Sequence, residues 1–176
     1  MKHATLTLSL LVTLLLAACL PARAQEGFNY DAYEPRTLAE LVAKYDNKEL
    51  ADPKAKDGSK AFGASFPSRA RVTYTGESRP LPDARARFIA EWVKTYGMDA
   101  RLPDLFAAEW KFVEDGKEYW LPVQKQVAAY FEKELKKGEA VDLYVIITGG
   151  RKAAGKWDWV ILVNEFEKVE PPRPAA

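Results

Sequence analysis

The sequence predicts an α+β domain, an antiparallel sheet of about five strands with two to three packed helices. Three observations lead there. Runs with apolar residues at every second position are interspersed with runs whose apolar residues recur at helical spacing. Their order after a leader is helix, strand, helix, hairpin, helix, hairpin. Gly, Pro and Asp punctuate the joints, and no βαβ unit with a Gly-rich phosphate loop occurs, which argues against a nucleotide fold. Three strands, a helix and two strands is also the order of an OB-type small barrel, here with one helix inserted. The chain divides into residues 1–24, an irregular arm over 25–36, a single domain over 37–169 and a Pro-rich tail over 170–176 expected to be disordered.

The first helix starts at a capping box. Thr37 can accept from the Glu40 amide, and the Glu40 carboxylate can reach back. Leu38, Leu41, Val42 and Tyr45 follow as an apolar stripe, and the helix is expected to run to about Leu50. Pro53 and Gly58 mark an exposed loop. From Arg69 to Thr75 the chain alternates, with Ala70, Val72 and Tyr74 on one face of a half-buried strand. Gly76 to Pro82 reads as a turn and Asp83 as the cap of a second helix. Phe88, Ile89, Trp92, Val93 and Tyr96 form the stripe of that helix, and Gly97 stops it.

Asp115-Gly116 lies between two alternating aromatic runs, which suits a two-residue type I′ turn in which both central residues take positive φ. That register sets Glu114 against Lys117, Phe112 against Tyr119 and Trp110 against Leu121. On the opposite face Lys111 meets Trp120, a cation–π geometry. A third helix spans Lys125 to Lys136, with Val127, Tyr130, Phe131 and Leu135 inward and Gly138 as its stop. Val141, Leu143, Val145 and Ile147 make one face of a long strand. Gly149 to Gly155 is expected to be a loop, and Trp157 to Phe166 the last strand. That strand is apolar on both faces from Val160 to Val163 and so central.

Residues 1–24 read as an export signal: a basic start, an apolar run from Ala4 to Ala18, Pro21, then small residues at Ala22 and Ala24. Leu16-Ala17-Ala18-Cys19 also fits a lipobox, with cleavage before Cys19 and acylation of its thiol. The first route makes the protein periplasmic or secreted, the second a membrane-anchored lipoprotein. The apolar run is shorter than the roughly 20 residues a bilayer needs. The chain has one His and one Cys, His3 and Cys19, both inside this leader. Cleavage after Ala24 therefore leaves neither imidazole nor thiol, and no disulfide.

The 26 Lys and Arg include Lys2 and Arg23 of the leader and stand against 25 Asp and Glu, so removing the leader turns a net charge of +1 into about −1. A nucleic-acid binder would carry a clear basic excess, so no nucleic-acid partner is expected. The chemistry left is narrow. Ser–His and Cys–His nucleophiles are excluded from the processed chain, and a zinc site would have to use carboxylates alone. A carboxylate pair is one option, with Glu109, Asp142, Asp158, Glu165 and Glu167 nearest the strands. A calcium loop at Asp46 to Asp52 lacks the EF-hand spacing. The basic hairpin tip of Arg151, Lys152 and Lys156 suits solubility or an anionic polymer.

An aromatic binding face is the remaining option. Trp110, Trp120, Trp157, Trp159 and Tyr144 come from hairpin strands that can be neighbours; Trp110 reads as core, whereas Trp120, beside Lys111, and Trp157 lack an apolar partner across their pairs. The expectation is thus a non-catalytic module without cofactor or metal that binds an envelope protein or polysaccharide. It touches the membrane only through a lipid on Cys19. The alternative is a carboxylate-dependent hydrolase of a wall glycan or similar polymer.

Overall fold

Two hairpins and one long bent strand close a ring. The computed structural model describes residues 28–45, 67–153 and 156–169, without the side chains of 45 and 151–156. In chain order the elements are β1 (Glu34–Pro35), α1 (Leu38–Tyr45), β2 (Pro67–Pro80), α2 (Asp83–Thr95), β3 (Phe106–Glu114), β4 (Lys117–Gln124), α3 (Lys125–Glu134), β5 (Ala140–Ala153) and β6 (Lys156–Lys168). Short 3-10 turns at Tyr30–Ala32 and Leu102–Leu105 precede β1 and β3. The sheet order is β1-β2-β3-β4-β6-β5, and β5 pairs again with β2, so β2 to β6 form a closed ring that resembles a small barrel.

The expected α+β class holds, with two corrections to the sheet. It has six strands, because two residues of the arm add β1 beside Ser68 and Arg69. It is mixed, because β1–β2 and β4–β6 are parallel. The second parallel pair follows from closure. α3 carries the chain back across the ring between β4 and β5, so β4 meets β6, which runs in the same direction.

β2 makes closure possible by serving two neighbours in turn. Pro67 to Thr73 pairs with β5, and Thr73 to Pro80 pairs with β3. The register slips between Tyr74 and Ser78, where Gly76 has φ +75°. The turn expected at Gly76–Pro82 is therefore an irregularity inside a longer strand, because closure needs a bend there and β3 still offers a partner beyond it.

Alternation along the strands decides what fills the ring. Ala70, Val72 and Tyr74 of β2, Trp110 and Phe112 of β3, Leu121 and Val123 of β4, Val141 to Ile147 in alternation on β5, and Ile161 and Val163 of β6 share one core. α3 enters where β4 ends. Its Phe131 is fully buried among Tyr74, Trp110, Phe112 and Phe166, with ring centroids 5.0 to 5.9 Å apart. Such aromatic pairs each add about 0.5–1.5 kcal/mol beyond area burial. α1 adds Leu38 and Leu41 to the same core.

The start of α1 is fully capped. The reciprocal Thr37–Glu40 bonds form as expected, at 2.8 and 3.0 Å. Glu114 then accepts from the amides of Leu38 and Ala39 at 2.7 and 3.0 Å. Glu114 and Lys117 stand opposite each other as the turn register requires, but the Glu114 carboxylate is turned to the helix N-terminus. Whether α1 would continue toward Leu50 lies outside the described residues, as do the leader with Cys19, the calcium-loop segment and the tail.

α2 is the insertion between β2 and β3, and it has its own core. Phe88, Ile89, Trp92 and Val93 lie with Phe106 on Val160 and Leu162, the outer face of β6. This is why Val160 to Val163 is apolar in both directions. Asp83 does not cap α2. Pro82 occupies that position, and Asp83 follows as the first acidic residue of the helix. The Asp115-Gly116 turn is as expected, with φ of 48° and 78°, and the β3–β4 register agrees at each expected pair. The loop expected at Gly149–Gly155 is instead strand on both sides, to Ala153 and from Lys156. Gly150 allows this, because a Cβ there would lie 2.9 Å from the Trp159 ring.

Candidate binding face on β3 and β4

The outer face of the β3–β4 hairpin is where charged groups gather around an aromatic ring. Inward residues of β3 are Trp110 and Phe112, so Glu109 and Lys111 point outward. Lys111 stands directly opposite Trp120, as the turn register requires. Its ammonium lies 5.8 Å from the Trp120 ring centroid. It is only 14% exposed and bonds the carboxylates of Glu77 at 2.7 Å and Glu118 at 3.3 Å. Those partners, Glu77 first, hold its pKa above the ordinary lysine value.

A closer cation was not foreseen. The Arg79 guanidinium, from the far half of β2, sits 4.2 Å over the Trp120 ring. It also binds Glu109, whose side chain is 0% exposed, at 2.7 Å. Arg85 of α2 takes the other Glu109 oxygen. The same Arg85 guanidinium donates to the Trp120 carbonyl at 2.7 Å and pairs with Asp158 of β6. Burial works against its charge, but Asp158 and Glu109 outweigh that and push its pKa up. The result is a half-buried indole held in a frame of fixed charges contributed by β2, β3, β4, β6 and α2.

The remaining expected site residues lie elsewhere. Trp157 stacks on Trp159 at 4.7 Å and 21°, near the β5–β6 hairpin end. Tyr144 is 2% exposed on the outer face of β5. The arm covers it: Phe28, Tyr30 and Tyr33 each meet its ring edge-on at 4.9 to 5.7 Å. Its hydroxyl donates to Glu167 at 2.7 Å, and burial, then Glu167, push its pKa to about 12. Trp120 and Lys111 are thus brought together, whereas Tyr144 and Trp157 occupy separate places.

The acidic residues weighed for catalysis have partners. Glu109 has two arginines, Asp142 is held bidentately by Arg71 at 2.7 and 2.9 Å, Asp158 has Arg85 and Glu167 has Tyr144. Glu165 accepts from the amide of its neighbour Phe166 at 3.0 Å, and burial, with the Glu134 charge adding to it, raises its pKa. No group of three or more metal-ligating side chains occurs among the described residues. No helix among them is long and apolar enough to cross a membrane.

Arg79, Arg85 and Asp158 were the partners least visible in the sequence. Their only signal was register: once the Asp115-Gly116 turn is placed, Glu109 must face outward beneath α2, and a carboxylate buried there needs a cation. Searches against protein-family models, curated proteins and solved structures find no match for this chain.

Proposed function

We propose that this protein is an exported, non-catalytic module that holds an envelope protein or polysaccharide at the outer face of β3 and β4, with Trp120 at its centre. Export rests on the leader of residues 1–24, with acylation at Cys19 as the tethered form. The observation that carries the binding reading is the Trp120 frame. An indole offers stacking area to a sugar ring or apolar side chain at little entropic cost. The surrounding donors and acceptors are already oriented, Arg79 by Glu109, and Lys111 by Glu77 and Glu118, so a ligand orders few groups on arrival.

Trp120→Ala in the folded protein should weaken capture of envelope material by about tenfold or more, the scale of an interface tryptophan. Trp157→Ala serves as the comparison, because Trp157 lies off this face. Undiminished capture by Trp120→Ala would remove the face from consideration. The hydrolase alternative has Glu165 as its best acid, since a raised pKa suits a proton donor. It would show itself as glycan turnover that Glu165→Gln abolishes.

A further inference from the structure

A second site lies away from Trp120, in a depression of about 390 Å³ lined by Pro35, Arg36, Thr37, Glu40, Arg69, Arg71 and Asp142. We propose that it binds an oxyanion, a phosphate or carboxylate group, through the three arginines. The fold assembles them from two sources. Arg69 and Arg71 are alternate residues of β2 and share its outer face, because Ala70 between them and Val72 after them are core. Arg36 follows directly on β1, and its amide donates to the Arg69 carbonyl at 3.0 Å, which fixes the two residues side by side.

The donor balance favours an anion. Each guanidinium offers five N–H groups and no acceptor. The carboxylates at this site are already committed. Asp142 takes the Nε and Nη2 of Arg71, Glu34 takes one Nη2 of Arg36, Glu40 accepts from the Thr37 amide, and Glu167, whose charge also reaches Arg71, accepts from the Tyr144 hydroxyl; Arg69 spends part of its fork on that hydroxyl oxygen. Arg71 is held in a fixed orientation by Asp142, yet its side chain is 65% exposed; that of Arg36 is 38% exposed. Donors therefore remain after the acceptors are occupied, and they converge on an accessible hollow. Planar guanidinium forks match the oxygen spacing of phosphates and carboxylates. The site shares no residue with the Trp120 face, so either can fail alone.

The test is a titration of the whole protein at low ionic strength with inorganic phosphate and, separately, with acetate. Arginine Nε–H NMR signals are the readout, with chloride at matched ionic strength as the control. Saturable shifts at Arg36, Arg69 and Arg71 are expected. Phosphate giving them at lower concentration identifies a phosphate site, and acetate doing so identifies a carboxylate site. Arg36→Gln, which releases only the exposed Glu34, should weaken binding about tenfold, the scale of a charge-assisted hydrogen bond. Arg71→Lys keeps the charge and loses the fork, and should weaken it by a similar factor. Identical responses to chloride, or shifts untouched by both substitutions in folded protein, would overturn the proposal.

Discussion

Arg85 of α2 donates to the Trp120 carbonyl of β4 while its other arm pairs with Asp158 of β6. The two strands meet at one described pairing, Val123 with Val163. One guanidinium thus joins strands whose own pairing is sparse. It also neutralises Glu109 beneath them and anchors the inserted helix to the ring.

The first prediction concerns that latch. Arg85→Met keeps the apolar stem but leaves Glu109 with Arg79 alone. Removing one partner of a buried pair costs about 3–5 kcal/mol, and the retained Arg79 places this case near the lower end. Urea unfolding measures it. Adding Glu109→Gln should recover part of the loss, because the stranded charge is then gone. A single variant as stable as the parent protein would mean that the latch contributes nothing net.

The second prediction concerns the long-range cap. Glu114→Ala strips the Leu38 and Ala39 amides of their acceptor. The cost should be about 1–2 kcal/mol, at the upper end of the capping range because the lost acceptor is charged. Hydrogen exchange should accelerate at Leu38 and Ala39 more than at Phe131 of α3. Uniform acceleration throughout the domain would instead point to a global effect and refute a local cap.

The third prediction concerns pH. Burial first, and the Glu134 charge second, raise the Glu165 pKa in the folded state above its ordinary 4.5. The folded protein then holds this proton more tightly than the unfolded chain does. Its stabilising contribution is complete below the ordinary value and is lost as pH rises through the raised one. Glu165→Gln, which cannot ionise, should melt higher than the parent protein at neutral pH, and the gap should close on acidification. A gap that widens in acid would reverse the sign and reject the assignment.

How much could be read in advance depended on the range of the interaction. The Asp115-Gly116 turn fixed the β3–β4 register because positive φ at two adjacent positions is a local steric demand. Periodicity separated the core faces of β5 and α3 for the same local reason. The inserted helix, too, was legible from its stripe. The sheet edges were not. β2 runs past Gly76 because β3 waits beside it, and β5 runs past Gly149 because Gly150 makes room for Trp159. The candidate face was half legible: Lys111 and Trp120 follow from the turn, whereas Arg79 and Arg85 do not.

By itself, the sequence determined the α+β class, the hairpin register, the inward faces and the placement of the single His and the single Cys, His3 and Cys19, within the first 24 residues. These depend on backbone sterics, hydrophobic period and residue type, which act over a few positions. Only the tertiary structure decided that the strands close on themselves, that β4 and β6 run parallel, and that Glu114 caps a helix 76 positions away. It also decided that Tyr144 lies under the arm, and that Arg36 joins Arg69 and Arg71 around one hollow. Such pairings are chosen by burial and charge between distant segments, and no local pattern records which distant partner a carboxylate or an arginine will meet.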